Sequence, residues 1–215
     1  NGDNLNNNVG STLSIATVAF AKAGTSIFTN AGTISFTTLT VAAATTLQLG
    51  AALSSAAAIT ITGILDLNSF NLTSSGTLTV TAAGTLTDTG VGTPEVRLSG
   101  ATFDMNGTTS LFLLRALSGT STLQDTIVDS NVDLGTINFT IDAGVTANML
   151  GGNTLTMGAG STLTNNGTFG PTGTLAFNGA AIANGAAGLI SISSVTLGTA
   201  GAVAYTTAGG TWTSD

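Results

Sequence analysis

Apolar and polar residues alternate with a period of two in many short runs. Among them are Ile34-Ser35-Phe36-Thr37, Thr77-Leu78-Thr79-Val80-Thr81, Thr136-Ile137-Asn138-Phe139-Thr140-Ile141-Asp142, Thr174-Leu175-Ala176-Phe177-Asn178 and Ile190-Ser191-Ile192-Ser193. A period of two sends successive side chains to opposite faces, so each run predicts a half-buried β-strand. Gly and Asn separate the runs, with almost no proline, as in Asn30-Ala31-Gly32, Asn106-Gly107, Asn165-Asn166-Gly167, Asn178-Gly179 and Asn184-Gly185. Both residues tolerate positive φ, which predicts sharp turns at these places.

A degenerate repeat organises the strands. Gly, then Thr or Ser, then an aliphatic or aromatic residue opens a strand at Gly32-Thr33-Ile34, Gly76-Thr77-Leu78, Gly84-Thr85-Leu86, Gly135-Thr136-Ile137, Gly160-Ser161-Thr162-Leu163, Gly167-Thr168-Phe169 and Gly173-Thr174-Leu175. Three such units make a coil of about 20 to 25 residues, the scale of a solenoid repeat, and the chain then supplies roughly nine or ten coils. The expected fold is all-β, a parallel β-solenoid in one domain over residues 1–215, with 1–12 as a cap or arm. A β-sandwich is the alternative, because short strands with regular turns also fit it. Aromatic residues make up only 5% of the chain, which suits a narrow interior of stacked aliphatics better than a sandwich core. Helix is weakly indicated, at Ala51 to Ala58 and at Ser110 to Leu117; the second segment also reads as a cap, a lateral excursion or a buried strand.

Charged residues are 6% of the chain, three basic and ten acidic, and the net charge is -7. The surface must therefore consist of hydroxyls, amides and small side chains. A mean hydropathy of +0.47 separates the chain from disordered low-complexity sequences, which are poor in aliphatic residues. Excess negative charge repels phosphate backbones and argues against nucleic acid as a partner. No charge falls between Lys22 and Asp66, yet Val41 to Leu65 is broken by Thr45, Thr46, Gln48, Ser54, Ser55, Thr60 and Thr62. Its Ile59-Thr60-Ile61-Thr62 alternation has the period of a strand, so no transmembrane segment is expected. The chain opens on Asn1 without a basic and apolar leader, as expected of a processed secreted form or an excised fragment.

The run Gly152-Asn153-Thr154-Leu155-Thr156-Met157-Gly158-Ala159-Gly160-Ser161-Thr162-Leu163-Thr164-Asn165-Asn166-Gly167-Thr168-Phe169 resembles the passenger regions of bacterial autotransporters and secreted adhesins of the filamentous-haemagglutinin type. It is a resemblance of repeat style, spread over most of the chain. It implies a right-handed parallel β-helix exported to the cell exterior and used for adhesion, matrix building or display.

His and Cys are both absent, which removes Ser-His-Asp and Cys-His mechanisms, thiolate metal sites and disulfides. A carboxylate pair would suffice for glycoside hydrolysis, and Asp125, Asp129, Asp133 and Asp142 are the candidates. The simpler reading makes them solvated outward carboxylates, so an enzyme is not expected. Calcium would suit the same acids, but neither an EF-hand nor a Gly-Gly-x-Gly-x-Asp spacing is present, and no cofactor is expected.

Thr-x-Thr elements recur at Thr38/Thr40, Thr60/Thr62, Thr77/Thr79/Thr81, Thr85/Thr87/Thr89, Thr154/Thr156, Thr162/Thr164 and Thr211/Thr213. Stacked on one flat face they would resemble ice-binding solenoids, but their spacing drifts instead of holding one coil length. Thr as a β-branched strand former with a water-compatible hydroxyl is the simpler account of them. Sequons at Asn71, Asn106, Asn138 and Asn166 permit glycosylation without predicting it.

From Ala143 to Ser214 no residue is charged, and Pro171 is the lone proline there. Solenoid edges expose backbone donors and acceptors that soluble proteins guard with charge or proline. Residues 190–215 are therefore expected to be an assembly segment, with Ile190, Ile192, Val195, Leu197, Val203, Tyr205 and Trp212 as its candidates. The expected role is a non-catalytic structural protein of the bacterial exterior whose partners are copies of itself. A monomeric adhesive rod binding a glycan or host protein is the alternative, followed by an ice-binding or carbohydrate-active solenoid.

Overall fold

The alternating runs do form strands, and they stack in parallel. The computed structural model describes residues 3–105, 108–110, 113–118, 120–124, 127–128, 131–133, 138–149, 154–171, 174–178, 180–192, 194–197, 204–207 and 209–214. Among the described residues there is no helix, and the strands form parallel sheets of six, ten, eight and five strands. Parallel pairing throughout excludes the sandwich, whose sheets are antiparallel. The segments offered as helix contain strands instead: Leu53–Ser55 lies within Ala51 to Ala58, and Leu113–Ser118 overlaps Ser110 to Leu117 from Leu113 onward. Leu111 and Phe112 lie outside the described residues.

Each circuit visits three faces. Thr45–Leu49 lies in the six-stranded sheet, Leu53–Ser55 in the eight-stranded and Ala58–Ile61 in the ten-stranded, and Ile64–Asp66 returns to the first. Beyond Ile127–Val128 the five-stranded sheet takes the place of the six-stranded one in this order. The first circuits differ, because the nine-residue strands Thr12–Phe20 and Thr33–Val41 pair with each other along their whole length. Their apolar alternation slips by one residue midway, from Leu13 and Ile15 to Val18 and Phe20, and from Ile34 and Phe36 to Leu39 and Val41. The eight-stranded face begins only at Leu53–Ser55, so the chain returns to it about seven times. About seven three-sided turns replace the nine or ten uniform coils expected from sequence, because the repeat spacing did not reveal that the N-terminal circuits lack a separate third strand.

Burial follows the alternation. In the ten-stranded sheet Leu39, Ile59, Leu78, Phe103 and Ile141 are fully buried and share one Cα column, which also passes through Leu123. The uncharged tract after Lys22 supplies Leu47, Leu49, Leu53, Ile61 and Leu65 to the same core, which explains its hydropathy without a membrane. No helix among the described residues is long and apolar enough to cross a membrane.

Six of the seven Gly-Thr/Ser openers meet described strands, and those strands begin at Thr33, Thr77, Thr85, Thr162, Thr168 and Thr174; the opener at Gly135 lies outside the described residues. Space explains the glycine in several of them. A Cβ on Gly76 would overlap the carbonyl oxygens of Ala56 and Ala57 in the coil before it, and Gly32, Gly84 and Gly167 likewise abut preceding backbone. Backbone cannot swing aside as a side chain can. Gly76→Ala is therefore expected to lower unfolding free energy by about 1–3 kcal/mol, read as a lower urea midpoint.

Asparagine departs from expectation. Positive φ outside glycine occurs at Ala44, Asn68 and Ser69, not at Asn30, Asn165, Asn178 or Asn184. The corner asparagines act through their side chains instead. Asn7 Nδ2 donates to Asn30 Oδ1 at 2.8 Å, and Asn165 Nδ2 donates to Asn184 Oδ1 at 2.8 Å, each pair stacked in register. These amides link successive coils inside the core, where an unpaired polar group would be costly.

Candidate functional site

The ten-stranded sheet is the broadest face, and one of its Cα columns is nearly uniform in residue type. Cα register aligns Thr17 with Thr38 and Thr38 with Ala58, and then Thr77, Thr102, Thr122, Thr140, Thr164, Ala183 and Thr206 in successive rows. Eight of these ten column positions are threonine. The sequence spacing between rows varies from 18 residues, Thr122 to Thr140, to 25 residues, Thr77 to Thr102. The variation sits in the excursions to the other two faces, so rows of unequal length still align. Thr40, Thr60 and Thr79 form a second, shorter column beside the first, continued by Asp104.

Two facts of chemistry define this face. Threonine is β-branched and stiff at χ1, so its hydroxyl and methyl keep fixed positions. Along the column Thr38 Oγ1 donates to Thr17 Oγ1 at 3.1 Å, so these two hydroxyls are also tied to each other. Among the described residues, the acids on or beside the face are Asp104, which stands in the second column beside Thr102, and Asp142. The ion pairs lie elsewhere: Glu95 meets Arg97 at 2.6 Å and Arg115 at 3.2 Å on the eight-stranded sheet, and Lys22 meets Asp3 at 3.2 Å.

A second cluster sits at the corner after Ile64–Asp66. Asp66, 3% exposed, accepts from Asn68 N at 3.0 Å and Thr89 N at 2.9 Å on Oδ1. Its Oδ2 accepts from Thr89 Oγ1 at 2.6 Å and Gln48 Nε2 at 3.0 Å. Burial pushes this carboxyl up, but the bonds from Thr89, Gln48 and Asn68 outweigh it and hold the group below its ordinary value of 3.8. Asp88 accepts from Ser69 N at 2.8 Å and Gly90 N at 3.1 Å, which braces Asn68 and Ser69 in their left-handed conformations. Every partner of Asp66 is a donor from its own or an adjacent coil, so the cluster locks a corner.

Compared with family models, curated proteins and solved structures, the chain matches none. The surface chemistry has to be read from the molecule itself.

The residues singled out from sequence fall in different places. Ile190 is fully buried. Ile192 lies in Leu189–Ile192, and Val195 and Leu197 lie in Ser194–Leu197, while Val203 is outside the described residues. Tyr205 and Trp212 meet at 4.9 Å in an edge-to-face pair. Their Cα columns are inward ones: Tyr205 follows Phe139, Leu163 and Ile182, and Trp212 follows Ile190. Ile182 is 1% exposed and Tyr205 39%.

Asp125 and Asp129 lie outside the described residues. Asp133 is in the eight-stranded sheet in Cα register with Arg115, whereas Asp142 follows the ten-stranded sheet's Asn138–Ile141, so these two sit on different faces. Among the described residues no three acids gather as a metal site. The Thr-x-Thr elements divide among the faces: Thr85/Thr87 belong to the six-stranded sheet, Thr154/Thr156 to the eight-stranded and Thr211/Thr213 to the five-stranded. Sequon residues Asn71 and Asn138 accept backbone bonds from Glu95 at 2.8 Å and Thr162 at 3.1 Å, so both work as links between coils. Sequence reasoning missed the Thr17, Thr102, Thr122, Thr140 and Thr206 rows. Their shared signal is a threonine directly before the next inward position of the sheet.

Proposed function

We propose that the chain is a non-catalytic structural protein of the bacterial cell exterior that joins to copies of itself end to end through unguarded β-edges. The observation that carries this reading is the uncharged sequence from Ala143 to Ser214, in which Tyr205 stands 39% exposed against Trp212. Among the described residues Ala204–Thr207 and Thr211–Ser214 contain neither a charge nor a proline. Thr12–Phe20 and its paired strand Thr33–Val41 are likewise uncharged. Within the fold, Thr33–Phe36 lacks a partner on its inner side, because pairing with Ala58–Ile61 starts at Thr38. Such edges accept another strand through main-chain bonds, and a head-to-tail contact between unlike ends propagates into an open filament. Placement at the cell exterior is supported by the repeat style shared with secreted solenoid adhesins.

Electron microscopy and concentration-dependent light scattering test the reading. Filaments or layers are expected from the intact chain. A Tyr205→Lys, Trp212→Lys variant places two charges on the end and is expected to raise the concentration needed for association by about tenfold or more. A strictly monodisperse monomer at high concentration overturns the proposal.

A further inference from the structure

We infer that the outward face of the ten-stranded sheet binds an ordered lattice of water, that is, the surface of ice. The inference rests on a face that the assembly reading does not use. Parallel strands set the rows about 4.8 Å apart. In a tetrahedral water network with O–H···O distances of about 2.75 Å, second-neighbour oxygens lie roughly 4.5 Å apart. The mismatch of roughly 0.3 Å per row sums to about 1.2 Å across the five-threonine run, small enough for the first water layer to absorb. That run, Thr77, Thr102, Thr122, Thr140 and Thr164, is continuous in register.

Three further properties favour this occupant. Stiff χ1 rotamers hold hydroxyl and methyl in repeated positions, and the Thr38 to Thr17 hydroxyl bond at 3.1 Å restrains one end of the column. The column carries no charge, so it does not organise the competing hydration shell that an ammonium or carboxylate would. Its two interruptions are Ala58 and Ala183, which are smaller than threonine and leave no projection to hold a flat lattice away. A protein or peptide occupant would be expected to find exposed aromatic or large aliphatic anchors, and the column supplies none.

The test uses the whole chain in ice recrystallisation and thermal hysteresis measurements. The unaltered protein is expected to slow recrystallisation and shape ice crystals. Thr77→Lys, Thr102→Lys and Thr140→Lys together should raise the required concentration by about tenfold or more, whereas Thr85→Lys with Thr156→Lys, on the other two faces, should leave it within about twofold. Circular dichroism on each variant keeps folding separate from binding. If the triple variant fails to fold, the exposed single site Thr77→Lys replaces it, with loss of activity still expected. Absence of activity in the unaltered protein, or equal loss in folded variants of both sets, overturns the inference. Light scattering at the same concentrations separates this outcome from self-association.

Discussion

Asp66→Ala is expected to lower unfolding free energy by about 3–5 kcal/mol, measured by urea denaturation at neutral pH. The carboxylate receives four hydrogen bonds, from Asn68 N, Thr89 N, Thr89 Oγ1 and Gln48 Nε2. Bonds to a charged acceptor contribute about 1.5–3 kcal/mol each, though not additively, and removing the acceptor leaves buried donors without a partner. Asp66→Asn retains the shape but replaces one oxygen with a donor facing other donors, so it should recover little. The pH dependence separates the charge from the packing. The folded state binds the Asp66 proton less tightly than the unfolded chain does, so ionisation favours folding. That contribution is complete above the ordinary value of 3.8 and is lost as pH falls through the lower folded value. The stability gap between the unaltered chain and Asp66→Asn should therefore narrow below about pH 4. A gap that stays constant down to strong acid would remove the carboxylate from the account.

Phe103→Ala should cost about 3–5 kcal/mol, the range for truncating a buried aromatic side chain. Phe103 is fully buried, in register between Leu78 in the preceding coil and Leu123 in the following one. A narrow solenoid core has one residue per row at each column position, and the neighbouring rows are held by backbone bonds, so the cavity cannot collapse. Each coil contacts mainly its neighbours, which makes the loss local in origin. Hydrogen exchange should rise first in Thr102–Met105 and in its paired strands Thr77–Val80 and Thr120–Gln124. Uniform protection along the chain at the lower stability would show a fully cooperative solenoid instead.

Much of the architecture could be read locally. Thr77-Leu78-Thr79-Val80 alternates because a strand has two faces, and Gly76 precedes it because a side chain there would meet the preceding coil's backbone. The role of Asp66 was not readable, since Gln48 and Thr89 lie 18 and 23 residues away and reach it only through coil stacking. Asn165 and Asn184 look like turn residues in sequence, and only their stacking shows that the amides bond to each other. Tyr205 has the same parity as its buried column neighbour Ile182, so its exposure does not come from its local pattern.

The threonine face divides the same way. Sequence by itself determined that the chain is all-β and parallel in style, that its surface is hydroxylated and nearly uncharged, and that His and Cys chemistry is absent. Those properties depend on residue type and on a period of two, both local. Tertiary structure alone decided which threonines share a column, because rows are separated by 18 to 25 residues and only backbone pairing between coils selects the partner. A drifting sequence period and a straight ladder are compatible because the excess residues are taken up in the rest of each circuit, while the hydrogen bonds of the parallel sheet hold the rows in line.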